Sequence, residues 1–204
     1  HDDAASHWSC LLTLRSSAIG RARESLQRPL LLAHRGAHSA TLQENSLAAL
    51  VAGAAQCDGV EFDVRFSADG AAVIVHDETL DRLFGVPRRV RELSAMELAG
   101  IGVPTLTEVL AALPAATLID LELKERPTDA LFATLVAARG AGAEGVVFTS
   151  FHPSALHVVA ERAPDWSRWL NAESAAEAEQ ATTLGCVGVS VAMELLNDAN
   201  ISRW

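Results

Sequence analysis

Of the sixteen lysines and arginines in this 204-residue chain, only one, Lys124, is a lysine. Cysteine is scarce too: Cys10, Cys57 and Cys186 are odd in number and widely spaced. That spacing supplies neither a zinc-ligand pattern nor a disulfide framework, so a reducing, cytoplasmic setting is expected and the cysteines read as small packing residues. No apolar run reaches the ~18 residues that a membrane span needs. The greasiest N-terminal piece, "WSCLLTL", has no basic flank or small-residue cleavage site, so it does not read as a signal peptide. No glycine-rich fingerprint follows a strand, which argues against an open doubly wound sheet. A formal net charge of −10 disfavours nonspecific binding to nucleic acid or anionic lipid. An anionic small-molecule substrate would therefore need locally gathered positive charge.

No linker, low-complexity tract or internal repeat divides the chain, and its length suits one domain. What recurs is a short apolar run followed by an Ala- and Leu-rich helical segment. The runs are "LLLAHRG" (30–36), "GVEFDV" (59–64), "AAVIVHD" (71–77), "ATLIDLELK" (116–124), "GVVFTSF" (145–151), "SRWLN" (167–171) and "CVGVSV" (186–191). Helices are expected between most of them, over 44–56 and 129–139 for example. Runs without alternation read as strands buried on both faces, and alternation with helices implies parallel pairing. Polar residues stand at or near the C-terminal ends of many runs: His34, Asp63, His76, Glu122, Lys124 and Ser150. In a (β/α)8 barrel these ends converge on one mouth, whereas an open sheet would concentrate chemistry at one switch point. The expected fold is therefore α/β, a TIM-type (β/α)8 barrel over residues 29–204 whose eighth strand is missing. Residues 1–28 are expected to form an amphipathic helical segment.

One junction breaks the rhythm. Only "RFSADGA" links "EFDV" to "AVIVHD", too short for a parallel crossover. Asp69-Gly70 reads as a two-residue hairpin turn. Counting outward from it places Asp63 opposite His76 and Glu61 opposite Glu78, on shared sheet faces. The segment 78–104, with Arg82, Arg88, Arg89 and Arg91, reads as an excursion over the mouth.

Glu61-x-Asp63 and Glu122-x-Lys124 each put two charges on one face of a strand. Three carboxylates in a barrel mouth need positive compensation. A hard divalent cation, Mg²⁺ or Ca²⁺, supplies it; salt bridges to Arg35, Arg65 and Lys124 are the alternative. His34 and His76 suit acid–base work, and Arg35 and Lys124 suit an anionic group. Such a set fits phosphoryl transfer. His38, His152 and His157 read as surface residues, Trp166, Trp169 and Trp204 as packing residues. Phe151 is a candidate for lining the mouth.

Taken in order, "AHRGAHSATLQENSLAAL", "GVEFDVRFSADGAAVIVHDETLDR", "VPTLTEVL", "LIDLELK" and "VVFTSF" resemble the motif series of the glycerophosphodiester phosphodiesterase family. The resemblance implies a (β/α)8 barrel and metal-dependent hydrolysis of glycerophosphodiesters to an alcohol and glycerol 3-phosphate. Carried over by motif, His34 and His76 form the acid–base pair, and Glu61, Asp63 and Glu122 hold the metal. Arg35 and Lys124 bind phosphate, with Glu44 in support. Alternatives are a lysophospholipase D-like phosphodiesterase and an inactive barrel serving as a binding module. Three departures stand out: Gln43 replaces the family's usual proline, the excursion over 78–104 is short, and the stretch that carries the family's eighth strand does not follow residue 204.

Overall fold

A computed structural model describes residues 10–13 and 29–203. Six parallel strands form its spine: β2 (Leu32–His34), β3 (Gly59–Phe66), β7 (Leu118–Leu123), β8 (Val146–Ser150), β9 (Ser167–Ala172) and β10 (Gly188–Val191). They pair in the order β2-β3-β7-β8-β9-β10. Helices α1 (Leu47–Gln56), α4 (Leu106–Ala112), α5 (Asp129–Arg139) and α6 (Pro153–Arg162) cross between them, as a TIM-type barrel requires. β1 (Cys10–Thr13) lies antiparallel on the free side of β10, where a further parallel strand would continue the wall. Among the described residues nothing pairs β1 with β2, so the wall stays open there. Of the helix expected over 1–28, the described part is this four-residue strand, and the rest lies outside the described residues.

Alternation sorts the side chains into two layers. Val60, Phe62 and Val64 of β3 point outward with Ile119, Leu121 and Leu123 of β7. There they meet Leu50 of α1, Leu106 and Val109 of α4, and Leu131 and Leu135 of α5. Burying each such side chain stabilises the fold by about 1.5–3 kcal/mol before entropy is counted. The opposite face of the same two strands carries Glu61, Asp63, Asp120, Glu122 and Lys124. Capping places the helices: Ser46 accepts the Ala49 N–H at the start of α1, and Thr105 with Glu108 forms a capping box on α4.

The third run behaves differently from expectation in one respect. Strand β4 (Ala72–Ile74) is the hairpin partner of β3 and does not stand in the wall, because β3 pairs directly with β7. The hairpin loop also holds three residues, not two. Ser67 and Ala71 close it (Ser67 N–H to Ala71 O, 3.0 Å), with Gly70 left-handed at φ 79°. This is the turn-plus-bulge form in which glycine takes the left-handed position. The register is therefore one residue from the expected one: Val64 faces Ile74, and the Val75 N–H donates to Asp63 O at 3.0 Å. Asp63 lies opposite Val75, not His76. A one-residue slip reverses faces within a ladder, but β4 ends at Ile74, so His76 is released from it.

The excursion after His76 is a small folded unit. It comprises β5 (Thr79–Leu80), α2 (Asp81–Phe84), β6 (Val86–Arg89), a 3₁₀ turn (Val90–Glu92) and α3 (Ala95–Gly100). Leu80, Val90, Leu93, Leu98 and Val103 bury themselves against Val73 and Val75 of the hairpin. That private core fixes the excursion to the β3–β4 hairpin and so to the mouth.

Candidate active site

Strand pairing brings the charged residues together. β2 sets His34 beside Glu61, and β3–β7 sets Glu61 beside Asp120 and Asp63 beside Glu122. Ligand atoms of Glu61, Asp63 and Glu122 all lie within 4.8 Å of one another. The Lys124 ammonium stands against both Asp63 Oδ1 (3.0 Å) and Glu122 Oε1. Arg35 Nε lies 3.1 Å from Asp63 Oδ2, and the Arg35 backbone N–H donates to Glu61 Oε2 at 2.9 Å.

Local backbone conformation makes this convergence possible. After β2 the chain turns through Arg35 and Gly36, both left-handed, at φ 54° and 80°. A Cβ on Gly36 would come within 2.4 Å of the Ala49 backbone in α1, so only glycine fits. Asn45 is also left-handed, at φ 57°. Its Nδ2 donates to Asp63 Oδ2 at 2.7 Å, and its Oδ1 accepts the Asp63 N–H. Two non-glycine residues held in this costly region flank one buried carboxylate, as happens where surrounding structure enforces a functional geometry.

The electrostatics follow from crowding. Glu61, Asp63, Asp120 and Glu122 are all buried, and two cations, Arg35 and Lys124, stand among them. Burial opposes ionisation of Asp63, but Lys124 and then Arg35 outweigh it and hold the carboxyl below its ordinary value. Glu61 goes the other way: burial first, then repulsion from Asp63 and Asp120, pushes it well up. Burial and Asp63 likewise raise Glu122, against the pull of Lys124. Asp120, buried and accepting from Thr149 Oγ1 at 2.6 Å, is pushed up to about 7, mainly by burial. Burial and the Arg35 charge lower His34 to about 4, so its imidazole is neutral at pH 7.

A chain of ion pairs surrounds this centre. Glu44 Oε1 binds Arg35 at 3.0 Å and Arg82 at 2.7 Å. Arg82 Nε reaches Asp77 Oδ2 at 2.6 Å, and Asp77 Oδ1 lies 2.8 Å from His76 Nδ1. Arg65 Nε donates to the His76 carbonyl at 2.8 Å. Burial resists ionisation of Asp77, yet Arg82 and His76 hold it down at about 2. Arg82 comes from α2, so the excursion contributes the link that ties His76 to Glu44 and Arg35.

All eight residues singled out in the sequence, His34, Arg35, Glu44, Glu61, Asp63, His76, Glu122 and Lys124, therefore meet at one mouth. Ser150 is structural: its hydroxyl donates to Leu123 O and accepts the His152 N–H. His38, His152 and His157 are exposed, and Trp166 and Trp169 are buried; Trp204 lies outside the described residues. Asn45, Asp77, Arg82 and Asp120 were not among the expected site residues. Asp120 carried a signal, since Asp120, Glu122 and Lys124 fall at every second position of one run. Asn45 and Arg82 act through tertiary contacts that no local pattern announces, while Asp77 pairs with its chain neighbour His76 and with Arg82.

The donor set suits a hard divalent cation. Among the described residues Glu61 Oε1 is buried without any hydrogen-bond donor, and four buried carboxylates outnumber the two cations beside them. Three of those carboxylates converge closely enough to share one ion, with all-oxygen ligands of the type Mg²⁺ and Ca²⁺ prefer. Among the described residues no helix is long and apolar enough to cross a membrane.

Known proteins with the same architecture carry this comparison further. A model of the glycerophosphoryl diester phosphodiesterase family matches residues 34–203. The chain is 33% identical over 112 residues to a glycerophosphodiester phosphodiesterase of Caldanaerobacter subterraneus, an alignment covering 48% of this chain and 46% of that protein. The chain thus matches about half the length of such curated relatives. Among solved structures it resembles a glycerophosphodiester phosphodiesterase of Thermotoga maritima, at 30% identity and TM-score 0.63, covering 77% of this chain and 70% of that one. It also resembles an Oleispira antarctica phosphodiesterase solved with the product sn-glycerol-3-phosphate, at 25% identity and TM-score 0.71. That match covers 92% of this chain and 82% of the other. With the motif series, the barrel and the convergent carboxylates in agreement, the chain belongs to the glycerophosphoryl diester phosphodiesterase family.

Proposed function

We propose that the chain hydrolyses glycerophosphodiesters to an alcohol and glycerol 3-phosphate with the help of a divalent cation, Mg²⁺ or Ca²⁺. The observation that carries this reading is the meeting of Glu61, Asp63 and Glu122 within 4.8 Å, flanked by two cations and two histidines. Glu61, Asp63 and Glu122 would hold the ion. Once bound, it supplies charge neutralisation of the phosphodiester and polarisation of its P–O bonds.

The remaining work falls to the chain's own groups. Arg35 and Lys124 attract the phosphate, and the arginine fork fits its geometry. His34, neutral at pH 7, takes the proton from the nucleophile: a water, which yields glycerol 3-phosphate directly, or the neighbouring glycerol hydroxyl, which yields a cyclic glycerophosphate that a water then opens to glycerol 3-phosphate. His76 gives a proton to the departing alcohol oxygen as the P–O bond breaks. Asp77 orients the His76 ring through Nδ1, leaving the other ring nitrogen to face the substrate. Acid–base assistance of this type contributes about 10²–10⁴-fold. Three scarce, widely spaced cysteines favour a reducing, cytoplasmic setting.

Release of glycerol 3-phosphate from glycerophosphocholine tests the proposal. It should require added Mg²⁺ or Ca²⁺, stop with a chelator and stop in Glu61→Ala. Release that persists in both cases would overturn the metal assignment.

A further inference from the structure

A cavity of about 340 Å³ opens at the C-terminal ends of β8 and β9. Phe151, Pro153, Leu170, Asn171, Glu173 and Glu177 are among its lining residues, and among the described residues no lysine, arginine or histidine lines it. Asn171 is 8% exposed, and its Oδ1 is buried without a hydrogen-bond donor among the described residues. A buried, unmet acceptor is costly and calls for a donor from outside the chain. Phe151, a lining residue, is 46% exposed. Glu173 and Glu177 sit where β9 passes into α7 (Ala175–Ala178), with Glu177 Oε2 accepting the Glu173 N–H at 2.9 Å. The walls thus offer an acceptor oxygen, two carboxylates and an aromatic ring.

The register relates this cavity to the catalytic centre. Glu122 on β7 lies level with Thr149 on β8 and Trp169 on β9, and Asn171 stands two residues further along β9. Trp169 packs with Val147 inside the barrel while Leu170 and Ala172 pack outside it. Alternation therefore puts Asn171 on the interior face with Glu122. Two strand spacings separate them, about 10 Å across the sheet. A phosphodiester over the carboxylates can extend one ester arm across β8 into this cavity.

We infer that the cavity receives the leaving alcohol and selects alcohols that carry a protonated amine. The ammonium N–H donates to Asn171 Oδ1, its charge is met by Glu173 and Glu177, and it lies against the Phe151 ring, where a cation is attracted to the π face. A quaternary ammonium satisfies the ring and the carboxylates but has no N–H for Asn171. A neutral polyol satisfies Asn171 alone. The division of labour is electrostatically consistent: the cations of the β3–β7 half take the phosphate, and the acidic β9 rim takes the opposite charge of the same substrate. The inference rests on the phosphodiesterase reading above.

The test compares kcat/KM for glycerophosphoethanolamine with that for glycerophosphoglycerol, whose leaving alcohol is neutral. The wild-type chain should prefer the ethanolamine diester by about tenfold, the size expected of a few favourable charge contacts. In the double variant Glu173→Gln/Glu177→Gln that ratio should fall towards one. Phe151→Leu, a substitution at an exposed rim position, should lower the ratio by a smaller factor. Equal wild-type turnover of the two diesters, or variants that slow both alike, would overturn the inference and leave the phosphodiesterase reading standing. If neither diester is turned over, the phosphodiesterase reading falls, and the inference falls with it.

Discussion

Strands β2, β3 and β7 and strands β8, β9 and β10 build one parallel sheet from similar apolar runs, yet their interior faces differ sharply. The first half presents Glu61, Asp63, Asp120, Glu122 and Lys124; the second presents Val147, Thr149, Trp169 and Asn171. Their outer faces are alike, both apolar and packed under helices. The fold therefore tolerates crowded charge on one face because the other face of the same strands supplies the core. On the proposed reading, stability resides in the outer layer and in the Trp169 half, chemistry in the β3–β7 half. A buried carboxylate cluster is a poor way to stabilise a protein, which points to function as the reason for its presence.

The largest expected effect comes from emptying the charged half of one ligand. Asp63→Asn keeps the contact with Asn45 near its present shape but removes a charge from the convergent trio. Turnover should fall about 10²–10³-fold or more, the loss typical of removing one preorganised electrostatic group. Unchanged circular dichroism would show that the fold stands. The complementary change in the other half, Trp169→Ala, should cost about 3–5 kcal/mol of stability, read by urea denaturation. A variant that lost activity but not stability at Trp169 would break the proposed division.

A third change sharpens the electrostatic side. Asp120 is held at about 7, against an ordinary value of 3.8, so between those pH values the folded chain binds more protons there than the unfolded chain. Its contribution is therefore present below about 3.8 and is lost as pH rises through 7. In metal-free buffer at pH 8, Asp120→Asn should be more stable than wild type by up to about 4 kcal/mol, and the gain should vanish near pH 4. His34 contributes with the opposite sign: lowered from 6.5 to about 4, it makes stability fall as pH drops through that window. The smallest effect is expected from the excursion. Arg82→Ala cuts the link between Glu44 and Asp77, and kcat should drop about tenfold with KM little changed, since it misorients a group rather than removing one.

How much of this could be read in advance depends on whether the signal was local. All seven apolar runs became strands, and the helix expected over 129–139 is α5 (Asp129–Arg139). Charges at every second position of "VEFDV" and "LIDLELK" were enough to place Glu61, Asp63, Glu122 and Lys124 on one face. What escaped was register and relay. Asp69-Gly70 read as a two-residue turn, but Ser67 closes a three-residue loop through Ala71, and that single residue moved Asp63 from His76 to Val75. The same loop geometry takes β4 out of the wall. Arg82 and Asp77 are five residues apart in an excursion with no periodic signature, and only its private core brings Arg82 to Glu44, thirty-eight positions away. Asn45 was concealed in the same way, its role depending on a left-handed backbone and on Asp63 across the mouth.

The central claim is that the charged half exists to hold a divalent cation, and calorimetric titration of the whole chain with Mg²⁺ and Ca²⁺ tests it most directly. The account predicts saturable binding of at least one of the two ions by the wild-type chain, abolished in Glu61→Gln and retained in His34→Ala. Absence of binding by either ion in a folded wild-type chain, or binding unchanged in Glu61→Gln, would contradict it.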